Sequence, residues 1–167
     1  LNMRLIKLAL ISFVVFFGLI TAMSLAIPSN VRISKAINVA GNSQTIFPYI
    51  ANRASWSQWH PLFKSDSIEY ALQHNKIKIS PLTITDTLIT MQWQQGDRRP
   101  VINGWELHSF AGADSTTLQW YMDFDLPWYP WHKFGSLFYE KTYGVMMEQG
   151  LANLKEVVHR QNVSKPF

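Results

Sequence analysis

The feature that most constrains this chain is an uncharged hydrophobic run from Leu8 to Ile27. At about 1.5 Å of rise per residue, a helix of this length matches the roughly 30 Å hydrocarbon core of a bilayer. Inside lipid a helix satisfies its own backbone hydrogen bonds, so we expect the run to be helical up to Pro28. We therefore predict a transmembrane anchor in residues 1–29, with residues 5–27 in contact with the membrane.

The charges that flank this run indicate its orientation. Arg4 and Lys7 precede it, and positively charged flanks tend to stay in the cytoplasm. We therefore expect a single-pass membrane protein with a cytoplasmic N-terminus and a periplasmic or other extracytoplasmic domain. The alternative is a secretory signal cleaved after Ala26, since small residues lie at the spacing of a signal-peptidase site. The run exceeds the roughly 7–15 residues of the apolar h-region in a usual signal peptide, which favours the uncleaved anchor.

Composition excludes several classes of function. The chain has 15 Lys and Arg, and setting aside Arg4 and Lys7 leaves 13 against 11 Asp and Glu. No dense basic run occurs, so we expect no nucleic-acid partner. Cysteine is absent, which excludes disulfides, thiolate zinc sites and a cysteine nucleophile. The five histidines lack the spacing of metal ligands, and we expect neither a metal nor a cofactor.

The periodicity of the remaining residues predicts one α+β domain, residues 30–160, followed by a tail, residues 161–167. A strand and two short helical stretches come first, and the chain ends in a long helix with an apolar stripe. Between them lies a series of antiparallel strands. The predicted strands are 31–39, 67–74, 76–80, 82–94, 101–110 and 116–126, and the predicted helices are 44–52, a turn at 56–59, and 133–160.

The strand at 116–126 has the clearest alternation in the chain. One face carries apolar residues at every second position, and the opposite face carries polar ones, including Asp123 and Asp125. This pattern indicates a half-buried antiparallel sheet. The two aspartates share a face, but it is the face opposite the apolar one, so we expect them in solvent rather than in an acid–base pair.

Several motifs occur in an order that resembles START-like domains, the SRPBCC or polyketide-cyclase-like superfamily. The strand 31–39 is followed by Ile-Phe-Pro-Tyr-Ile at 46–50 and by Trp-Ser-Gln-Trp-His-Pro at 56–61, similar to the W-x-x-W-x-P signature of that superfamily. The end of the chain matches at Leu-Gln-Trp, 118–120, and Gly-Leu-Ala-Asn-Leu-Lys, 150–155. A glycine-rich segment that many members have after the tryptophan pair is missing.

The resemblance implies a helix-grip fold, in which an antiparallel sheet wraps around the long C-terminal helix and leaves a hydrophobic cavity. Members bind lipids, sterols, polyketides or other apolar molecules, and some catalyse cyclisation or hydrolysis. We therefore predict membrane-tethered binding of a small apolar ligand, lipid-like or polyketide-like. The alternatives are a cyclase or hydrolase of the same superfamily and a protein-interaction module at the membrane, with no protein partner identified.

The aromatic residues of the strands are the candidates for the ligand site. They should point towards the terminal helix, although the same positions also suit ordinary core packing. Both roles are compatible, because a helix-grip pocket is an extension of the core. The predicted ligand-binding residues are Trp59, Trp93, Trp105, Leu107, Trp120, Met122, Phe124, Tyr143, Met147 and Leu151.

Two further groups of residues carry open alternatives. An enzyme would need polar side chains in the cavity, and the candidates are His60, His108, Glu140 and Tyr143, with no catalytic constellation indicated by spacing. The second group is an aromatic loop interrupted by prolines, residues 127–132, which carries Trp128, Tyr129 and Trp131. This loop suits the rim of the pocket, the membrane interface or a satellite cluster over the helix end.

Overall fold

The computed structural model describes residues 3–63, 68–110 and 112–163. Strands and helices form an α+β domain behind a long N-terminal helix, as predicted. The helices are α1 Met3–Leu25, α2 Ser43–Ala51, α3 Trp56–Trp59, α4 Ile68–His74, α5 Pro130–Ser136 and α6 Val145–Val163. The strands are β1 Asn30–Ala40, β2 Ile77–Ile84, β3 Leu88–Gln95, β4 Val101–Ser109 and β5 Ser115–Asp125. Single 3₁₀ turns lie at Arg53–Ser55 and Pro61–Phe63, and a π-helical segment, Glu140–Gly144, leads into α6.

The five strands form one antiparallel sheet in the order β1-β5-β4-β3-β2. The first strand therefore pairs with the last, and α2 to α4 fill the connection between β1 and β2. Helix α6 packs against β1 and also contacts α2 and α3, so the sheet curves around it. The predicted helix-grip architecture is confirmed.

Strand β5 has the predicted alternation. Its inward residues, from Leu118 to Phe124, are buried at 0–6% exposure. On the outer face, the Tyr121 ring covers Gly104, where any Cβ would overlap the ring, and the Arg32 guanidinium lies 4.3 Å above it. Arg32 also donates two 2.6 Å hydrogen bonds to the Asp123 carboxylate. Asp123 is therefore part of the outer ion-paired surface, away from the cavity side of the sheet.

Two strand predictions are wrong. Residues 68–74 of the predicted strand 67–74 form helix α4, because Ile68 and Leu72, four apart, both pack against the core; Ser67 lies outside the described residues. The predicted strand 82–94 is divided between β2 and β3. A tight turn joins the two strands, in which the Thr85 N–H donates to Leu88 O at 2.8 Å. Pro81 is tolerated in β2 because β2 is an edge strand with a register shift there.

The tryptophan pair is fixed by hydrogen bonds to α2. Asn42 caps α2 by accepting from the Thr45 N–H at 2.9 Å, so the helix begins at the predicted turn. The indole N–H of Trp56 donates to Ile50 O at 2.8 Å, and that of Trp59 donates to Tyr49 O at 2.9 Å. These bonds place both rings in the core beneath the sheet.

Lys35 fastens the π-helical segment and α6 to the sheet. This residue of β1 places Nζ 2.6 Å from Glu140 Oε1 and 2.7 Å from Glu148 Oε1. Hydrogen bonds to these two carboxylates, Glu140 foremost, raise the pKa of Lys35. One cation therefore joins β1 to both helical stretches that face it.

Helix α1 is long and apolar enough to cross a membrane, and its side chains are exposed except near its C-terminal end, where Ser24 is buried. That end contacts α5. Lys133 of α5 is 3% exposed, and its Nζ donates to Ile27 O at 2.8 Å and to Ser29 Oγ at 2.7 Å. The connection between α1 and β1 is thus tied directly to the folded domain.

Candidate functional site

The candidate site is a cavity of about 360 Å³ between the sheet and the helical segment after β5, which we call the inner cavity. Its wall is formed by β2 to β5, the β3–β4 turn, the turn at Pro61–Phe63 and the junction of the π-helical segment with α6. The apolar lining residues are Leu62, Phe63, Ile77, Trp93, Val101, Met122, Tyr143 and Met146. The polar lining residues are Asn75, Gln95, Arg98, Arg99, Asn103 and Thr142. A concave space whose wall combines eight apolar residues with six polar ones has the character of a small-molecule site.

The structure brings some of the predicted site residues together and separates others. Trp93, Met122 and Tyr143 line the inner cavity. Phe124 lies beside it and lines a neighbouring cleft together with Tyr143. The other six predicted residues are packed in the core at 0–4% exposure and are not in the described lining: Trp59, Trp105, Leu107, Trp120, Met147 and Leu151.

Sequence reasoning missed the entrance of the cavity. Arg98 and Arg99 lie in the turn after β3, and Leu62 and Phe63 lie directly after the tryptophan pair. Two adjacent arginines beside the turn-forming Gly96 were the available signal, since the turn between antiparallel strands lies at the rim of a sheet. Thr142 lines the cavity through the π-helical segment, which periodicity of 3.6 residues does not anticipate.

An aromatic cluster encloses His60 next to the cavity. His60 is 0% exposed, and burial lowers its pKa from the ordinary 6.5 to about 3, because the ring cannot hold a solvated charge there. The imidazole is therefore neutral at physiological pH. Its Nδ1 accepts from the Leu62 N–H at 3.3 Å, so Nε2 carries the proton. The surrounding ring centroids lie at 4.8 Å (Phe63), 5.1 Å (Trp120), 5.3 Å (Trp59), 5.4 Å (Trp93) and 5.8 Å (Trp56).

Polar atoms in and beside this cluster lack hydrogen-bond partners among the described residues. They are His60 Nε2, Trp93 Nε1, Asn103 Nδ2 and Trp105 Nε1. Trp93 and Asn103 line the inner cavity, while the other two lie deeper in the core. Buried polar groups normally have partners, so such a concentration marks this part of the core as unusual.

The entrance carries two arginines, and one of them is paired with a carboxylate. Arg99 Nη1 lies 2.6 Å from Asp125 Oδ2, whereas Arg98 donates to the neutral Gln95 Oε1 at 3.0 Å. Tyr143 lies on the same side of the cavity, and burial raises the pKa of its hydroxyl. An anionic or polar group at the entrance would thus meet Arg98.

The residues considered for an enzyme do not form a joint site in the described part of the chain. Only Tyr143 lines the inner cavity. His108 Nε2 lies 3.6 Å from Glu106 on the exposed end of β4, and Glu140 is paired with Lys35. His60 is turned into the aromatic cluster with its one described hydrogen bond to the Leu62 backbone.

A second space, which we call the outer cleft, adjoins the inner cavity on the side of α5. It measures about 530 Å³ and shares Arg98, Arg99, Val101 and Tyr143 with the inner cavity. Its far end is lined by Leu126, Pro127 and His132.

The aromatic segment lies next to that far end; from Pro130 onward it forms the first turn of α5 instead of the predicted loop, so Trp131 is helical. Trp128 and Trp131 are exposed, at 61% and 59%, and Tyr129 stacks on the Trp131 ring at 4.9 Å. Since α5 contacts the end of α1, this loop lies on the side of the domain from which α1 departs.

No known family profile matches the sequence, and no curated protein matches it. Solved structures do match. A START superfamily protein from Mycobacterium smegmatis superposes with a TM-score of 0.53 at 19% identity, covering 78% of this chain and 98% of that one. The chain has a START-like fold. The fold also matches the protein XoxI from Bacillus cereus, with a TM-score of 0.58 at 10% identity over 79% of this chain and 98% of that one.

A third match is to the di-domain ARO/CYC protein StfQ from the steffimycin biosynthetic pathway. The TM-score is 0.58 at 10% identity, covering 80% of this chain and 52% of that one, so this chain spans about half of the di-domain protein. Identities this low establish the fold. The START-like resemblance seen in the motifs is confirmed at that level.

Proposed function

We propose that this chain is a membrane-tethered domain that binds a small apolar molecule, lipid-like or polyketide-like, in the inner cavity. The observation that carries the proposal is the cavity itself, about 360 Å³ and walled mainly by apolar and aromatic side chains. Its position between the sheet and the helical segment after β5 supports a binding role, because ligand sites are concave and mostly apolar. A START-like fold supports the same role.

The junction between α1 and the domain supports the tether. Residues 26–29 alone separate α1 from β1, and Lys133 binds two of them. With α1 in a bilayer, the exposed rings of Trp128 and Trp131 would lie at the membrane interface, where tryptophan partitions favourably.

The arrangement of the two spaces supports the membrane as the source of the ligand. The outer cleft extends from the residues flanking the aromatic loop, Pro127 and His132, to the wall it shares with the inner cavity. An apolar molecule leaving the bilayer interface beside the loop would reach the inner cavity past Tyr143.

Ligand binding is tested by native mass spectrometry of the full chain released from detergent micelles. Thr142→Trp places a large ring at an exposed position of the cavity wall, and Val145→Trp, on the same helical stretch but outside the lining, is the matched control. We expect wild type and Val145→Trp to retain a bound apolar molecule and Thr142→Trp to lose it. Absence of any bound apolar molecule from the wild-type chain would contradict the proposal.

The tether is tested by two measurements on the mature protein: its intact mass, which shows whether the N-terminal helix has been removed, and its partition between membrane and soluble fractions. We expect the chain to remain in the membrane fraction after alkaline carbonate washing, with α1 uncleaved. Release of a soluble domain that begins after Ala26 would show a cleaved signal peptide instead.

A further inference from the structure

The partnerless buried atoms of the domain have a common chemistry. In Trp93 and Trp105 the atom is an indole N–H, which can only donate. His60 is neutral with Nδ1 occupied as an acceptor, so its partnerless Nε2 is also a donor. The partnerless nitrogens of Trp93, Trp105 and His60 are therefore all donors.

Asn103 follows the same rule, and its orientation is fixed by a neighbour. The Trp120 indole N–H lies 3.2 Å from the Asn103 side chain, and it can bind only the amide oxygen. The amide nitrogen Nδ2 is therefore the end without a partner in the described chain. All four side-chain nitrogens that lack partners among the described residues are donors.

Two of these donors belong to the wall of the inner cavity. Asn103 on β4 is directly opposite Met91 on β3, so Trp93, two residues further along β3, is its diagonal neighbour on the same sheet face. Asn103 is 0% exposed and Trp93 is 8% exposed. Two residues that each carry a buried N–H donor are thus diagonal neighbours in a wall that is otherwise mainly apolar.

We propose that the molecule bound in the inner cavity carries a hydrogen-bond-accepting oxygen, a carbonyl or a carboxylate, that accepts from Asn103 Nδ2 and Trp93 Nε1. This inference rests on the proposed function and adds the polar chemistry of the ligand to it. An acceptor without protons of its own satisfies donors, whereas a pure hydrocarbon leaves them unpaired and a donor-only group such as an ammonium opposes them. Arg98 at the entrance adds a cation that favours the carboxylate over the carbonyl.

The test compares three probes that share one ring system. They are 2-dimethylaminonaphthalene, its 6-propionyl ketone and its 6-carboxylate, titrated into the full chain in detergent micelles and followed by fluorescence. Thr142→Trp, with the cavity blocked, gives the signal from micelle partitioning alone. We expect the ketone or the carboxylate to bind about tenfold more tightly than the parent, the effect of one or two added hydrogen bonds.

The variants Trp93→Phe and Asn103→Leu identify the donors. Each removes one N–H donor: Trp93→Phe keeps an aromatic ring, and Asn103→Leu keeps the side-chain volume but also removes the acceptor of the Trp120 indole N–H. Because both residues line the cavity, the readout is the ratio of ketone affinity to parent affinity, and each variant should lower that ratio. Retained binding of the parent probe also shows that the variant is folded. Arg98→Gln should weaken the carboxylate and leave the ketone unaffected.

Three outcomes would overturn the proposal. Equal affinity of wild type for all three probes would show that water or no group satisfies the donors. An acceptor preference unchanged in both Trp93→Phe and Asn103→Leu would place the oxygen elsewhere. Failure of every probe to bind wild type would contradict the proposed function itself, which the native mass spectrum tests separately.

Discussion

Trp120 of β5 and Gly150 of α6 are in such close contact that a Cβ on Gly150 would lie 2.7 Å from Trp120 Cζ3. The same Cβ would lie 3.1 Å from Pro61 Cδ. Gly150 is thus what allows α6 to approach the sheet and the tryptophan cluster, which explains why a long helix keeps a residue of low helix propensity.

Gly150→Ala should therefore destabilise the domain, although alanine favours helices. Overpacking against Trp120 should lower the free energy of unfolding by about 1–3 kcal/mol. Gly135→Ala is the control, because the space around Gly135 in α5 is open and the substitution should be neutral or stabilising by up to about 1 kcal/mol. Chemical denaturation followed by tryptophan fluorescence measures both, and equal effects of the two substitutions would contradict the close contact.

His60 should make stability depend on pH. The folded pKa is about 3 and the ordinary value is 6.5, so between these limits the unfolded chain binds more protons and stability falls as pH falls. Relative to His60→Phe, wild type should lose up to about 1.4 kcal/mol of unfolding free energy per pH unit between pH 6 and pH 4. Above pH 7 this contribution is constant. If the unfolding free energies of the two proteins change with pH in the same way across this range, His60 is protonated in the folded chain.

Lys133→Met should loosen the connection between α1 and β1. The substitution removes the donor to Ile27 O and Ser29 Oγ, a loss of roughly 1 kcal/mol that corresponds to about fivefold more frequent local opening. Limited proteolysis of the full chain in vesicles should therefore cut within residues 26–29 correspondingly faster. Lys141→Met, which changes an exposed lysine, is the control, and identical cleavage rates for both variants would contradict the role of Lys133.

Trp128 and Trp131 should contact lipid headgroups when the chain is reconstituted. Brominated lipids quench tryptophans at the bilayer interface, and the core tryptophans, Trp56 and Trp120 among them, are buried at 0–8% exposure. The double variant Trp128→Ser/Trp131→Ser should lose most of the quenching seen in wild type. Quenching that is unchanged in the double variant would place the aromatic loop away from the bilayer.

The sequence predicted those parts of the fold in which one face of an element is buried and the opposite face is exposed. Strand β5 alternates because its inner face meets the core and its outer face meets solvent, apart from Tyr121, which is buried over Gly104, and the terminal helix has a matching apolar stripe. The prediction of a single strand at 82–94 is wrong because Thr and Ile, which favour strands, occur on both sides of the turn. The composition therefore does not change where the turn lies. Helix α4 was not predicted because only two residues, Ile68 and Leu72, show its helical apolar spacing.

The candidate site was less accessible to sequence than the fold. Trp93 and Trp105 both occupy inward-facing positions of their strands. Trp93 lines the inner cavity, whereas Trp105 is packed against the rings of Trp56 and Trp120. The difference depends on where the helix stands off from the sheet, which is set by distant contacts such as Lys35 to Glu140. Partnerless donors are likewise invisible until the neighbours of each atom are known.

The bond from Lys133 to Ile27 has a kinetic consequence. A domain on a loose tether sweeps a volume of solvent and meets molecules by diffusion in three dimensions. If α1 spans the membrane as we propose, a domain held to it by Lys133 would turn only with that helix, and the mouth of the cavity would keep one orientation relative to the bilayer surface. Encounters with a membrane-dissolved molecule would then be limited by lateral diffusion in two dimensions, and loading should scale with the mole fraction of that molecule in the lipid rather than with its aqueous concentration.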